Sequence, residues 1–575
     1  MIRIFILCFL SFSLLFSNSP AENANFFGFF TLFPPLIAII LSFITRNVVL
    51  SLFIGCLSGT FMLSLVNESI FYAIVSSFTT FISKVLQSLT DKANAGIILQ
   101  MLTIGGVVAL ITKNGGTKAV AIWFASKAKQ AKSSQFVTWA LGIFIFFDDY
   151  ANSFIIGPIV RPLTDKFKVS REKLAFIMDS TAAPIAGIAI ISTWIGFELS
   201  VISKGYDLID DTIFSHLNIA RENINAFEIF IQTLPYRFYN LFMLIFVFLT
   251  IFMGREFGPM LKAELKARKV QLYENYQNQN ESLEDKLLEP KDDIRLEPSN
   301  ALIPLFVLIL FSFVGFYFSG YANIEDLSIK AQIDASPLSL FSLRETFSSA
   351  NTATVLFQAA LLASITAIVM SAYKKIFSVK DGIIVWTYGW RMMIITVIIL
   401  LCAWPLSLTI KELGTSIYLV DLLSDKTPLS LLPAAIFILA SLISLSTGTS
   451  YGTMGILMPL AIPLSIGVGV FNELHSTQLH HYMIINISAV LTGAVFGDHC
   501  SPISDTTILS SMASKCELLA HVKTQAPYAI SVCLISIVLG YLPVALGLNV
   551  ILSLILGILA MILLLRIFGK KVDEF

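Results

Sequence analysis

Apolar stretches of about 20 residues recur along the chain between short polar segments, and each is long enough to cross ~30 Å of hydrocarbon. They predict membrane-spanning helices over 31–45, 48–66, 94–112, 174–198, 227–253, 301–320, 351–372, 381–408, 480–520, 525–546 and 548–568. The stretch 69–90 either spans or lies at the interface. One long hydrophilic segment, 254–299, separates a first transmembrane half, 31–253, from a second, 301–568. It mixes Lys262, Lys266, Arg268 and Lys269 with Glu264, Glu281, Glu284, Asp285, Asp292 and Asp293, the composition of a solvated connector. Residues 1–21 carry Arg3, the apolar run Ile4 to Phe16 and then Ser19-Pro20-Ala21, which reads as a secretory signal or an uncleaved anchor. The pattern is that of an all-α polytopic membrane protein.

Composition agrees: 56% of residues are hydrophobic, 13% are charged, and phenylalanine alone supplies 47 of them. The net charge of zero gives no reason to expect nucleic acid. The six cysteines are scattered without a CxxC or a Cys/His pair at metal spacing, and read as small membrane-core residues. No G-x-x-x-x-G-K-[ST] segment is present, so ATP hydrolysis by that route is not expected, and no hydrolase or zinc-protease arrangement suggests an enzyme.

Lys and Arg excess marks the cytoplasmic side of a membrane protein. Segments 127–132, 161–173, 254–299, 374–380 and the tail with Lys570 and Lys571 are basic or K/R-rich, whereas loops 199–226 and 321–348 are net acidic. This places the 254–299 loop and the C-terminus in the cytoplasm, and the expected location is the cell's inner membrane. Segments 127–132 and 161–173 then lie on one side, so the apolar stretch between them must enter and return. Its arms, Gln135–Phe147 and Phe154–Leu163, are too short to span, since about 13 helical residues reach only ~20 Å. A re-entrant hairpin follows, with Asp148, Asp149, Tyr150, Ala151 and Asn152 at its tip.

The second half repeats landmarks of the first. Lys113-x-x-Gly116-Thr117 matches Lys411-x-x-Gly414-Thr415. Tyr150, Pro158, Pro162 and Leu163 match Tyr451, Pro459, Pro463 and Leu464. Pro184, Ile185, Ile190 and Ser192 match Pro502, Ile503, Ile508 and Ser510. The expectation is an internal duplication of two inverted repeats, each with a re-entrant hairpin and a broken helix, and a transport site at their interface. The second hairpin falls at 431–470, broken at Ser446–Gly452, although its longer arms also suit two full spans.

Five aspartates interrupt these apolar runs: Asp148, Asp149, Asp179, Asp498 and Asp505. A carboxylate at membrane depth costs several kcal/mol and marks function by default. Each sits beside Gly, Pro, Ser or Thr, where a helix can open and expose carbonyl oxygens suited to a hard cation. The candidate cation and proton ligands are Asp148, Asp149, Asn152, Asp179, Thr181, Asp498, Ser501, Ser504, Asp505 and Thr506, with Thr447, Thr449 and Ser450 as second-hairpin ligands. His499 is a candidate proton relay. The plainer readings are helix capping for Asp148 and Asp149, a structural partner for Asp179, a hydrogen-bonded core histidine for His499, and mere turn formation at Gly448 and Gly452.

FFDDYANSFIIGPIVRPLTDK, DSTAAPIAGIAIISTWIGFE, STGTSYGTMGILMP and GAVFGDHCSPISDTTILSS resemble the signature segments of NhaC-type Na⁺/H⁺ antiporters, and the similarity runs over most of residues 30–545. The resemblance implies a secondary transporter of the ion-transporter superfamily, with an elevator-like transport domain moving against a scaffold, working as a homodimer. The signal-like amino terminus and the long loop at 254–299 depart from the pattern. The expected activity is Na⁺ (or Li⁺) exchange for protons, by competition at one site where 148–152, a break at 179–184 and 498–506 meet. The alternative is Na⁺- or H⁺-coupled transport of a small organic carboxylate or amino acid, of the malate/lactate type. A dicarboxylate is disfavoured because no Arg lies in the breaks, though Arg161 or Arg391 could serve. A channel suits these titratable breaks less well.

Overall fold

Each half is built in the same order: a long helix, a left-handed glycine, a short helix, a helical hairpin, another helix and an irregular break. In the first half these are Lys92–Lys113, Gly115 at φ 74°, Gly116–Ala125, the hairpin Ala131–Phe144 and Asp149–Lys166, then Arg171–Ala186, a break over 187–194 and Ile195–Asp207. In the second they are Val379–Glu412, Gly414 at φ 68°, Thr415–Leu423, the hairpin Leu432–Thr447 and Ser450–Phe471, then Ser476–Cys500, a break over 501–504 and Asp505–Ser514. Glycine takes the left-handed corners without strain. At Gly414 a Cβ would also lie 2.0 Å from the Pro20 carbonyl oxygen. The two long helices cross at glycines: a Cβ on Gly389 would stand 2.3 Å from the Gly105 carbonyl oxygen, a backbone approach that small residues permit between membrane helices.

The computed structural model describes residues 19–45, 47–66, 68–217, 224–269, 290, 294–502 and 504–572. Among these, 11 helices are long and apolar enough to cross a membrane, and the protein is a multi-pass membrane protein. The 69–90 stretch is one of them, a continuous helix Ile70–Thr90. Burial separates an inner from an outer set: Ser450–Phe471 and Ser476–Cys500 are 83% buried, whereas Ile70–Thr90 and Val550–Ile567 are 22% buried. The outer helices present apolar side chains outward, as lipid contact requires, while Arg171–Ala186, Ser450–Phe471 and Ser476–Cys500 lie inside, where irregular backbone can be satisfied by protein.

The structure corrects several boundaries. The first apolar span begins earlier than residue 31, at Pro20, capped by the Ser19 side chain; residues 1–18 of the signal-like segment lie outside the described residues. The 174–198 stretch holds parts of two helices and the 480–520 stretch parts of three. The break expected at 179–184 falls later, because Arg171–Ala186 runs helically through Pro184. Neighbouring amides reach the carbonyls around that proline: Asn152 Nδ2 donates to Thr181 O (2.9 Å) and Asn240 Nδ2 to Pro184 O (3.0 Å). The 227–253 stretch bends by 46° between Ala226–Tyr236 and Phe238–Met253. In the 254–299 connector, Arg255–Glu256 pairs antiparallel with Lys570–Lys571 of the tail, and Gly258–Lys269 is helical. Residues 270–289 and 291–293 lie outside the described residues.

Candidate functional site

Small residues let the first hairpin sit between the Asp179 helix and Asp505–Ser514. A Cβ on Gly142 would meet Thr181 Oγ1 at 2.0 Å, and one on Gly157 would meet Ala513 Cβ at 2.5 Å. Ser153 Oγ and Ser510 Oγ are hydrogen-bonded at 3.0 Å. Asn152 braces the arrangement: Nδ2 donates to Gly142 O (2.8 Å) in the opposite arm as well as to Thr181 O, while Oδ1 is buried without a partner. The tip aspartates are thereby held inside the protein, with Asp148 1% and Asp149 3% exposed.

Around this tip a first group of acids forms. Asp149 has Asp148 and Asp498 as charged neighbours, and the Trp194 indole beside it. Asp498 is gripped from two sides. Its Oδ2 accepts from Ser450 Oγ (2.9 Å), at the tip of the second hairpin, and its Oδ1 from Ser504 Oγ (2.5 Å), in the 501–504 break. Thr506 Oγ1 lies 3.1 Å from Ser504 Oγ. Among the described residues no three His, Cys, Asp or Glu side chains converge tightly enough to hold a metal ion. An alkali cation here would need hydroxyl and carbonyl oxygens too, which Ser450, Ser504, Thr506 and the open helix ends can supply.

Asp179 sits in a second group. Its Oδ2 accepts from Gln525 Nε2 (2.7 Å) and Thr507 Oγ1 (3.2 Å), and stands 3.2 Å from His521 Nε2 and 3.8 Å from His499 Nε2. His499 is hydrogen-bonded to Ser180 Oγ (3.1 Å) and to the Tyr239 hydroxyl (2.7 Å). Thr507 joins the groups, since its Oγ1 also lies 3.4 Å from the Asp498 carbonyl oxygen.

The remaining candidates are placed as follows. Thr181 and Thr447 turn their hydroxyls onto carbonyls of their own helices, Thr181 onto Ile177 O (2.8 Å) and Thr447 onto Ile443 O (2.9 Å). Thr449 is the extended residue before Ser450–Phe471 and follows Gly448, which turns the hairpin at φ 66°. Ser501 is fully buried, and its N–H donates to Asp498 O (3.1 Å). The Asp505 side chain is outside what the structure describes; its backbone begins the helix Asp505–Ser514.

With the acids, breaks and hairpins in place, comparison with known proteins is decisive. Residues 190–544 match the Na⁺/H⁺ antiporter family. The chain belongs to that family. Membership of the Na⁺/H⁺ antiporter family makes it a secondary transporter. An uncharacterized protein of Haemophilus influenzae is 31% identical over 503 residues, 87% of this chain and 88% of that one. A shorter match, 36% identical over 105 residues and covering 18% of this chain and 20% of the other, is to the malate-2H⁺/Na⁺-lactate antiporter of Bacillus subtilis. The fold is similar to that of the Alcanivorax borkumensis YdaH transporter, with a TM-score of 0.50 at 11% identity, covering 83% of this chain and 90% of that one.

Sequence reading missed His521, Gln525 and Tyr239. His521 fell between two predicted spans, 480–520 and 525–546. Yet H-x-x-x-Q within the helix Leu518–Ile535 is the spacing that puts two polar side chains on one face. It also missed Arg237, which sits fully buried at the bend near Tyr236 with Nη2 2.9 Å from Glu198 Oε2. Of the two arginines considered earlier, Arg161 Nη1 donates to Ala513 O (3.2 Å) and Arg391 is exposed.

A third buried charged group lies at the end of the Asp179 helix away from the aspartates. Lys173 Nζ is 2.7 Å from Glu256 Oε1 and donates to Thr250 Oγ1 (2.8 Å), and the Tyr528 hydroxyl donates to Glu256 Oε2. Glu264 accepts from Ser170 N (2.7 Å) and lies 3.5 Å from Arg268. Burial first, and then the nearby Glu256, push the Glu264 carboxyl above its usual range, against the pull of Arg268.

Proposed function

We propose that the protein is a secondary active antiporter exchanging Na⁺ (or Li⁺) for protons at Asp148, Asp149 and Asp498. The observation that carries this reading is Asp149, a carboxylate buried to 3% exposure beside two further carboxylates. Like charges out of water are tolerated only when protons or a cation neutralise them. The same oxygens can hold either, so the two ligands exclude one another, and alternating access converts exclusion into exchange. Ser450, Ser504 and Thr506 add hydroxyl oxygens. Asp179 belongs to the same path: it holds Thr507, whose hydroxyl reaches the Asp498 backbone.

The repeated order of elements supports the further parts of the proposal. The two halves are inverted repeats, their hairpins are re-entrant, and a transport unit carrying the acids moves in elevator fashion against the outer helices of a homodimer. The protein lies in the inner membrane, with the 254–299 connector and the C-terminus in the cytoplasm. In inverted vesicles, added Na⁺ is expected to collapse an imposed ΔpH. Asp149→Asn, Asp179→Asn and Asp505→Asn should each abolish the collapse; full activity in all three overturns the reading. A second reading, coupling of the cation to a small organic solute, is favoured by the short match to the malate/lactate antiporter and by unpartnered polar groups beside Asp149.

A further inference from the structure

Gln100 and Thr103 lie three residues apart on Lys92–Lys113, on neighbouring positions of one side of the helix. They are buried, at 1% and 0% exposure. Neither Gln100 Nε2 nor Oε1 has a hydrogen-bond partner, and Thr103 Oγ1 has none. A Cβ on Gly196 would stand 3.1 Å from Gln100 Nε2, so the amide lies against the start of Ile195–Asp207, just past the 187–194 break. Thr193, inside that break, is buried with an unpartnered Oγ1. Its N–H donates to Phe147 O (3.0 Å), which fixes it to the tip of the first hairpin. The next residue, Trp194, faces Asp149, whose Oδ1 also lacks a hydrogen-bond partner. Tyr451 of the second hairpin closes the arrangement, its ring centroid 5.0 Å from that of Trp194 and 4.9 Å from that of Phe197.

A buried polar group left unsatisfied keeps the full penalty of its desolvation. Native proteins satisfy nearly all such groups, so several left open between the two hairpin tips point to something they bind. We propose that Gln100, Thr103, Thr193 and Asp149 form a binding site for a small organic solute that bears a carboxamide and no net negative charge, next to the cation. A carboxamide pairs with the Gln100 amide as donor and acceptor at once, the threonine hydroxyls serve either role, and Asp149 accepts. A carboxylate-rich solute would call for a buried cation. The fully buried Arg237 and Lys173 are each closed onto a glutamate, at 2.9 Å and 2.7 Å. The site therefore suits malate poorly. This deepens the exchange reading and rests on it only through the shared Asp149.

The test uses purified full-length protein in proteoliposomes under a Na⁺ gradient, with radiolabelled L-asparagine, L-glutamine and L-malate as probes. Na⁺/H⁺ exchange is measured in the same vesicles without solute. Saturable, Na⁺-dependent uptake of asparagine or glutamine but not malate is expected. Gln100→Leu and Thr193→Val should each weaken apparent affinity about tenfold, the loss of one well-placed hydrogen bond to a buried group, and Thr193→Ser should restore it. Stabilisation of each variant by Na⁺ in a thermal melt shows that it has folded. Uptake of malate alone, uptake of none of the three, or unchanged affinity in both folded variants overturns the proposal. Amide uptake without Na⁺/H⁺ exchange would leave this proposal standing and remove the exchange reading instead.

Discussion

The Asp148–Asp149–Asp498 group and the Lys173–Glu256 group both take charge out of water, but in opposite ways. At Lys173 the chain matches one buried cation to one buried anion and closes the pair with Thr250 and Tyr528. At Asp149 it gathers charges of one sign and surrounds Asp498 with hydroxyls. A matched pair is complete as it stands and holds the structure together. A cluster of like charge is complete only when something mobile joins it. The Asp179 helix carries both devices, Lys173 near its start and Asp179 six residues on, so one element is anchored at one end and joined to the proposed exchange site at the other.

Substitutions can separate the two roles. Asp149→Asn should abolish Na⁺-dependent proton flux while leaving the melting temperature unchanged or raised, because it relieves like-charge repulsion. Flux and thermal denaturation on one purified sample check both halves of that outcome. Lys173→Met should do the reverse. It leaves Glu256 buried and unpaired at a cost of about 3–5 kcal/mol, lowering the melting temperature while the protein that remains folded still exchanges. A Lys173→Met variant with normal stability would dissolve the contrast. Thr507→Val should fall between them, weakening apparent Na⁺ affinity several-fold, on the order of one hydrogen bond of ~1 kcal/mol, as read from the Na⁺ dependence of flux.

Glu264→Gln should have the smallest effect. The Glu264 carboxyl is held above its usual range by burial, so its contribution to stability is present at acid pH and lost as pH rises through that raised value. Glutamine still accepts from Ser170 and removes the titration. The variant should therefore melt with less pH dependence as pH rises above the ordinary glutamate range, and at the upper end no lower than wild type. Melting curves across that range check it.

Much of the candidate site was legible because charge inside an apolar run is a strong signal. Asp148, Asp149, Asp179 and Asp498 stood out against their neighbours, and the hairpin carrying the first two followed from basic segments on both flanks. The partners were harder to see. Ser450 reaches Asp498 from 48 residues away, between two helices of the second half, a contact that no local pattern encodes. His521 lay between two predicted spans and Gln525 at the first position of one, so neither was seen as a partner of Asp179. The break at 187–194 was placed too early because Pro184 looked like a helix breaker, yet the helix runs through it, with the amides of Asn152 and Asn240, far away in sequence, bonded to carbonyls beside it. Arg237 was hidden for a similar reason, since only the bend at the end of Ala226–Tyr236 brings it onto Glu198.

The central claim is that Na⁺ and protons compete for the same buried carboxylates. It is tested most directly by adding Na⁺ to purified protein in weakly buffered detergent solution and following proton release with a pH indicator. The account predicts saturable proton release from wild type, matched by Li⁺, absent with choline, and lost in Asp149→Asn. Na⁺ binding without proton release, or release that persists unchanged in Asp149→Asn, would contradict it.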